Sequence, residues 1–362
     1  MAAQTGKYQT GIRITRRWAT VSVILLALLF RAALLSTKAY PFNSDEAIVA
    51  LMARHTLSGA WPVFFYGQAY MGSLDASLVA LGFAIFGQNV WVIRLVQLLL
   101  FTGVLISSMM LSRYLSQNTA GGLITGLLLA IPTINLNLYT TVSLGGYGEA
   151  LLFGNLLLLL GLKLDEKDNP MWLLIFWGLL AGVGFWAFGL TLVYSIPAFI
   201  LVVVGSYSGR IRLSIAKTLL LVAVGFLVGV SPILFWVIRN SPALLFSELF
   251  GAAIAGASTQ ALWSDLFNHF INFTVFGVSA AFGLRPPWST DIFFWPLGIG
   301  VALFWIAVIV QYVRVLRGKA GRVRAARLLG AVVLLLIAGF ILTPFGADPS
   351  GRYFLPITVI MA

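Results

Sequence analysis

The sequence has no cysteine and few charged residues. The missing cysteine excludes disulfides, thiolate metal sites and a cysteine nucleophile. Only 9% of the 362 residues are charged and 60% are hydrophobic, whereas a soluble domain carries about 25% charged residues. This composition excludes a soluble enzyme. It predicts an all-α, polytopic membrane protein with about ten spans of about 20 residues each.

The apolar runs give the expected spans. They lie at residues 18–36, 89–111, 120–138, 148–164, 171–187, 189–205, 217–238, 292–312 and 328–344, and a tenth begins at 353. A further run, 72–86, is shorter and contains Asp75. We expect all 362 residues to form one membrane domain.

The distribution of charge predicts the topology. With a cytoplasmic N-terminus and no crossing at 72–86, 16 of the 23 basic residues lie in cytoplasmic segments and eight of the 11 acidic residues lie outside. A full crossing at 72–86 would turn the basic loop 313–327 outward, against the positive-inside rule. We therefore expect 72–86 to be a re-entrant or interfacial helix on the outer face of a plasma (inner) membrane. The net charge of +12 reports topology and does not indicate nucleic acid.

Two outer loops are long, residues 37–88 and 239–291. The second contains apolar stretches at 244–257 and 266–283, which are too polar or too short to span. We expect them to form amphipathic helices on the membrane surface.

An acidic pair, Asp45 and Glu46, follows the first span. One interpretation is a general base, or a carboxylate that orients an acceptor, at the membrane–water boundary. The other is a helix cap, with Ser44 or Asp45 opening a helix over 46–57, because acids favour a first helical turn. Both interpretations remain open, since a cap can also aim a carboxylate.

Other polar residues at the outer ends of spans are candidates of the same kind. Glu149 follows a glycine-rich approach and opens an apolar run; it is either functional or a first-turn acid. Arg352 and Tyr353 can bind phosphate oxygens or anchor the chain at the interface. Tyr66 and Tyr70 suit a sugar ring or an aromatic belt.

Asp75 and the two histidines complete the candidates. Asp75 is either functional or a helix cap. His55 and His269 have no acidic or histidine partner at metal-ligand spacing, so we expect neither to bind a metal. A divalent metal is neither required nor excluded by the sequence.

Several segments, in order, resemble the GT-C superfamily of membrane glycosyltransferases, in the branch of the protein O-mannosyltransferases and lipid A aminoarabinose transferase. They are 40–47 (YPFNSDEA), 54–62 (RHTLSGAWP), the tyrosine-rich segment from 66, the helix that ends at 86–87, 148–149, the hairpin 182–197 and 351–356 (GRYFLP). The resemblance implies a GT-C helix bundle that transfers a hexosyl- or pentosyl-type sugar from a polyprenyl-phosphate carrier, with inversion, on the outer face. The acceptor would be a lipid, a glycan or a protein.

The resemblance also implies roles for individual residues. Asp45 takes the acceptor-activating position and Glu46 is its neighbour. Glu149 matches a second acidic site, and Arg352 matches a contact to the donor phosphate. The lysines that the aminoarabinose enzymes carry after the tyrosine segment and in the hairpin are missing here. Because the chain ends at Ala362 inside an expected span, we expect further helices or an outer domain to follow.

Two other functions remain as alternatives. A transporter or flippase of lipid-linked saccharides would place its ionisable residues near the bilayer midplane and often shows inverted repeats. Here the acids cluster at the outer ends of spans, which favours an enzyme. A polymerase or ligase that uses the same lipid-linked donors is harder to separate from a transferase.

Overall fold

A computed structural model of the chain describes residues 2–166, 170–246, 262–291, 295–318 and 320–362. The helices are α1 (Ala2–Ser36), α2 (Ser44–Leu57), α3 (Leu74–Phe86), α4 (Val90–Ser116), α5 (Thr119–Ala130), α6 (Ile134–Thr141), α7 (Tyr147–Leu164), α8 (Trp172–Ala187), α9 (Leu192–Tyr207), α10 (Ile215–Gly229), α11 (Ser231–Arg239), α12 (Leu262–Ile271), α13 (Val278–Ala281), α14 (Trp295–Val315), α15 (Ala320–Leu342) and α16 (Leu355–Met361). Two short strands, β1 (Phe64–Phe65) and β2 (Gln68–Gly72), pair antiparallel.

Each of the ten expected spans coincides with a helix or with a bent pair of helices. Among the described helices, six are long and apolar enough to cross a membrane, and two bent pairs raise the number to eight. The remaining two expected spans correspond to α8 and α16, which are shorter apolar helices. The predicted all-α, polytopic fold class is confirmed.

The two bends occur where proline interrupts an apolar run. The α5–α6 pair bends by 80° and the α10–α11 pair by 64°. Pro132 lies in the first break, and Pro232 lies in the first turn of α11. Proline disfavours a helical conformation in the preceding residue and cannot donate a backbone hydrogen bond, so the helix axis changes direction there.

The segment that follows α1 contains α2, the β-hairpin and α3. At 13 residues, α3 is about 20 Å long, too short to cross a hydrocarbon core of about 30 Å. The hairpin packs on the end of α8, because the Trp186 indole donates to the Val63 carbonyl oxygen at 2.9 Å. Gly72 lies against the Trp186 backbone so closely that a Cβ there would be 2.3 Å from its carbonyl oxygen.

The start of α2 differs from the predicted cap. The helix begins at Ser44 and its cap is Asn43, whose side-chain oxygen accepts a hydrogen bond from the Glu46 backbone N–H at 3.0 Å. The expectation that Ser44 or Asp45 caps the helix is therefore wrong. Asn43 takes this role because its extended backbone aims the short amide at the first free N–H groups.

The loop 239–291 is helical over part of its length. The stretch 266–283 lies in α12, a π-helical segment (Asn272–Gly277) and α13. Most of the stretch 244–257 lies outside the described residues.

The tightest helix pair is α8–α10, and glycine determines its spacing. Gly178 and Gly182 on α8 face Gly225 and Gly229 on α10, and a Cβ at Gly225 would lie 1.9 Å from the Ile175 carbonyl oxygen. In lipid, where hydrophobic burial does not drive association, such close backbone contact is a main source of helix pairing.

We predict that Gly225→Ala destabilises the protein although alanine is the better helix former. The added methyl group forces the two backbones apart, and overpacking of this kind costs about 1–3 kcal/mol. The measurement is the midpoint of thermal unfolding in detergent. Gly300→Ala on α14 is the matched control, because a Cβ at Gly300 meets nothing within 4 Å. Equal midpoints for the two variants would contradict the proposed packing.

Candidate functional site

The loop between α1 and α2 is fixed by a buried ion pair between Glu46 and Arg94. Glu46 is fully buried, and Arg94 at the start of α4 donates to both of its carboxylate oxygens, at 2.9 and 2.8 Å. Arg94 also donates to the Tyr40 carbonyl oxygen at 2.9 Å and to the Pro41 carbonyl oxygen at 3.4 Å. The pair therefore holds the loop that leads into α2. Asp45 precedes Glu46 in the first turn of α2 and is only partly buried.

A second loop, residues 348–352, carries Arg352. The Arg352 Nε lies 2.5 Å from the Asp348 Oδ2. Asn135 at the start of α6 donates to the Gly351 carbonyl oxygen at 2.9 Å. Gly351 has φ = 79°, a left-handed conformation that favours glycine. A Cβ there would also lie 2.6 Å from the Ala280 Cβ. These contacts hold the backbone on either side of the guanidinium in one position.

Arg285 also holds loop 348–352 in place. Its side chain is 2% exposed. The guanidinium donates to the Pro349 carbonyl oxygen, to the Phe276 carbonyl oxygen at 2.8 Å and to the Ser289 carbonyl oxygen at 2.6 Å. Arg285 is thus a structural residue that ties loop 348–352 to the segment after α13.

The two loops meet around a group of tyrosines. Tyr70 on β2 and Tyr139 on α6 each lie within electrostatic range of Asp45, Asp348 and Arg352. Burial raises the pKa of the Tyr70 phenol, and the nearby Arg352 guanidinium opposes that shift. The Tyr70 phenol is therefore a neutral hydroxyl at ordinary pH, able to donate a hydrogen bond to an anion.

Two further tyrosines complete this group. Tyr147 at the start of α7 and Tyr353 also interact electrostatically with Arg352. The rings of Tyr139 and Tyr147 lie 4.8 Å apart, centroid to centroid. We refer to Asp45, Asp348, Arg352 and the tyrosines 70, 139, 147 and 353 as the Arg352 cluster.

An apolar cavity of about 310 Å³ adjoins the Arg352 cluster. Its walls include Phe188 after α8 and Leu336 and Phe340 on α15. Tyr70 and Tyr353 belong both to this wall and to the cluster. The cavity and the cationic group are therefore contiguous.

Glu149 lies outside this group, although Tyr147 lies only two residues before it. Its side chain is fully buried, and neither carboxylate oxygen has a hydrogen-bond partner among the described residues. Its carboxyl group interacts electrostatically with that of a second acid, Asp75 on α3. Asp45 and Arg352 thus act on the same two tyrosines, Tyr70 and Tyr139, whereas Glu149 interacts with Asp75.

Asp75 is also buried. It accepts hydrogen bonds from Ser143 and, at 2.8 Å, from Gln97. Burial raises the pKa of the Asp75 carboxyl to about 6, while these two hydrogen bonds act in the opposite direction. Asp75 therefore links α3, α4 and the loop before α7.

Tyr66 lies apart from the Arg352 cluster, on the exposed turn of the hairpin. Its hydroxyl is hydrogen-bonded to the His55 Nδ1 at 2.8 Å. Among the described residues, no group of three or more histidine, aspartate or glutamate side chains could hold a metal ion.

Sequence reasoning did not select Asp348, Tyr139 or Tyr147 as site residues. The position of Asp348, four residues before Arg352, was a usable signal, because a carboxylate at that spacing can pair with the arginine. The two tyrosines give no such signal, since the bend after α5 and the start of α7 bring them to the site.

The fold and these contacts define a polytopic helical protein with the Arg352 cluster beside an apolar cavity. The sequence profile of a family described as dolichyl-phosphate-mannose-protein mannosyltransferase matches residues 74–236. The crystal structure of ArnT from Cupriavidus metallidurans bound to undecaprenyl phosphate is similar, with a TM-score of 0.57 and 16% identity. The match covers 97% of this chain and 60% of that chain. No curated protein matches the sequence.

The chain therefore has the fold of the GT-C membrane glycosyltransferases, and the predicted GT-C resemblance is confirmed. It spans about 60% of the length of the ArnT chain. It is a multi-pass membrane protein.

We predict that Arg94→Met destabilises the protein by about 3 kcal/mol, because it leaves the Glu46 carboxylate buried without its cation. The double variant Glu46→Leu/Arg94→Met should recover much of that loss, since it removes both charges. Midpoints of thermal unfolding for the two single variants and the double variant form the double-mutant cycle. Additive losses would show that the pair does not hold the loop.

Proposed function

We propose that this protein is a glycosyltransferase that moves a sugar from a polyprenyl-phosphate carrier to an acceptor, with inversion at the anomeric carbon. The observation that carries the proposal is the contiguity of the apolar cavity with the Arg352 cluster through Tyr70 and Tyr353. An apolar chain and a phosphate, joined covalently, match an apolar cavity whose wall includes two tyrosines that interact with a guanidinium. The undecaprenyl phosphate bound to ArnT, which has the same fold, supports this carrier class.

Arg352 and the tyrosine hydroxyls would hold the phosphate of the donor. A guanidinium offers several N–H donors to phosphate oxygens and remains charged. When the bond between the anomeric carbon and the phosphate oxygen breaks, its electron pair goes to that oxygen. The negative charge that develops there would be stabilised by the Arg352 guanidinium, whose backbone is held in place by its loop.

Asp45 would act as the general base. It is partly exposed and lies within electrostatic range of the tyrosines that surround Arg352. A carboxylate at this position can take the proton of the acceptor hydroxyl while the hydroxyl oxygen attacks the anomeric carbon. Glu46, the neighbour of Asp45, would have a structural role, because Arg94 donates hydrogen bonds to both of its carboxylate oxygens.

The remaining residues of the site would act indirectly. Tyr66 and the hairpin turn lie at the surface and would face the acceptor side. Glu149 and Asp75, both buried, would support the helices behind the cluster and would not contact the donor. The acceptor would be a lipid, a glycan or a protein, and the transferred sugar a hexose or a pentose.

The charge distribution supports a site on the outer face of the plasma membrane, with a cytoplasmic N-terminus. The basic segments would then lie inside, as the positive-inside rule requires. We propose that residues 1–362 act as one membrane domain, with the loops 37–88 and 239–291 on the outer face.

A mass-spectrometric assay with a panel of undecaprenyl-phosphate-linked sugars tests the function directly. The purified protein is incubated with each donor and with lipid, glycan and peptide acceptors. Release of undecaprenyl phosphate together with an acceptor that gains one sugar is the expected result. Movement of intact donor across liposomes without sugar transfer would instead indicate a flippase.

We predict that Asp45→Asn lowers the transfer rate by at least about 100-fold, the usual contribution of a general base. Binding of undecaprenyl phosphate and the midpoint of thermal unfolding should stay unchanged, because asparagine keeps the shape of the side chain. Ser44→Ala, at the adjacent position, is the control and should transfer sugar normally. Transfer by Asp45→Asn at the wild-type rate would disprove the assignment of the base.

We predict that Arg352→Gln weakens the binding of undecaprenyl phosphate by about 10- to 100-fold, the value of a charge-assisted hydrogen bond to a partly buried anion. Undecaprenol has the same chain without the phosphate and should bind both proteins equally. Isothermal titration in detergent micelles measures both ligands. Equal weakening for both would place Arg352 at the apolar part of the site.

A further inference from the structure

The Arg352 guanidinium has a carboxylate beside it on its own loop. Asp348 Oδ2 lies 2.5 Å from Arg352 Nε, with 18% of the Asp348 side chain and 35% of the Arg352 side chain exposed. The two facing atoms, Asp348 Oδ2 and Arg352 Nε, are buried, while other atoms of both side chains are exposed. Any phosphate that binds Arg352 must come close to Asp348 as well.

Asp348 cannot easily move away from such a phosphate. Its Oδ1 accepts a hydrogen bond from the Ser350 backbone N–H at 2.8 Å. Arg285 holds the Pro349 carbonyl oxygen, and Asn135 holds the Gly351 carbonyl oxygen at 2.9 Å. The loop is thus fixed on both sides of Ser350, and the carboxylate keeps its place when the guanidinium turns to a ligand.

A fixed negative charge at this place repels the phosphate that the site would bind. The repulsion energy depends on the charge of that phosphate. The sugar-bearing donor is a phosphodiester with a single negative charge. After transfer, the carrier is a phosphomonoester, which carries about −1.5 to −2 at pH 7. At a given distance, the Coulomb repulsion from Asp348 is up to about twice as large for the product as for the donor.

We propose that Asp348 is a specificity-determining residue that favours release of the product carrier over the donor. Arg352 attracts both phosphates, and Asp348 repels the doubly charged product more strongly than the singly charged donor. The result is a site that retains a phosphodiester and releases a phosphomonoester. This inference rests on the proposed function, because it requires a lipid phosphate at Arg352.

The alternative is that Asp348 only stabilises the conformation of its loop. Loss of a residue that only stabilises the loop would weaken the binding of both phosphates alike. Loss of a repelling charge would instead tighten the binding of both, and more so for the monoester. The ratio of the two affinities separates the alternatives, because a merely structural role does not change it.

The experiment measures the dissociation constants of undecaprenyl phosphate and of its methyl ester, a phosphodiester, for wild type and Asp348→Asn. Asparagine keeps the acceptor for the Ser350 N–H and removes the charge. We expect Asp348→Asn to bind the monoester about tenfold more tightly and the diester about threefold more tightly. The preference for the monoester should therefore rise about threefold. Asp291→Asn, an exposed acid whose partner is Ser289, is the control and should leave both constants unchanged.

Unchanged or equally weakened binding of the two esters by Asp348→Asn would overturn the inference. If Asp348→Asn does not fold, Asp348→Ser provides the same test, since its hydroxyl can accept the Ser350 N–H. If wild type binds neither ester more tightly than undecaprenol, the failure lies with the proposed function. If it binds both esters and the ratio does not move, only the role of Asp348 fails.

Discussion

The desolvation of charge is the constraint on which this structure depends. In an apolar interior, an isolated ion costs several kcal/mol, so each buried charge needs a partner that surrounds it closely. Glu46 and Arg94 satisfy each other and thereby fix the loop that presents Asp45. Arg285 meets the same requirement with backbone carbonyl oxygens, and so fixes the loop that presents Arg352. The two proposed functional charges are therefore positioned by three buried charges that take no part in the proposed chemistry.

Arg31 in α1 meets the same requirement only in part. Its guanidinium is fully buried, lies 3.2 Å from the centroid of the Phe101 ring and donates to Thr140 at 3.0 Å, while Nε and Nη1 have no hydrogen-bond partner among the described residues. A ring face and a hydroxyl together offset part of the desolvation cost. This contact joins α1, α4 and α6.

Backbone geometry supplies the rest of the site. The bend at Pro132 turns α6 so that Tyr139 faces loop 348–352. The end of α8 and the hairpin that packs on it line one part of the apolar cavity, and α15 lines another. Because Tyr70 and Tyr353 come from distant parts of the chain, the junction of cavity and cation exists only in the folded protein.

The sequence alone determined the membrane class, the positions of the ten apolar runs and the short helix at residues 72–86. These follow from local quantities, namely hydropathy, run length and charge order, together with the ordered resemblance. Only the tertiary structure decided which acids face the site. Asp45 and Glu46 are adjacent, yet one is partly exposed and the other is buried against Arg94, 48 residues further along the chain. Glu149 likewise faces Asp75 and not the cavity. The direction of a side chain on a helix depends on which helices pack around it, and composition and spacing do not specify that packing.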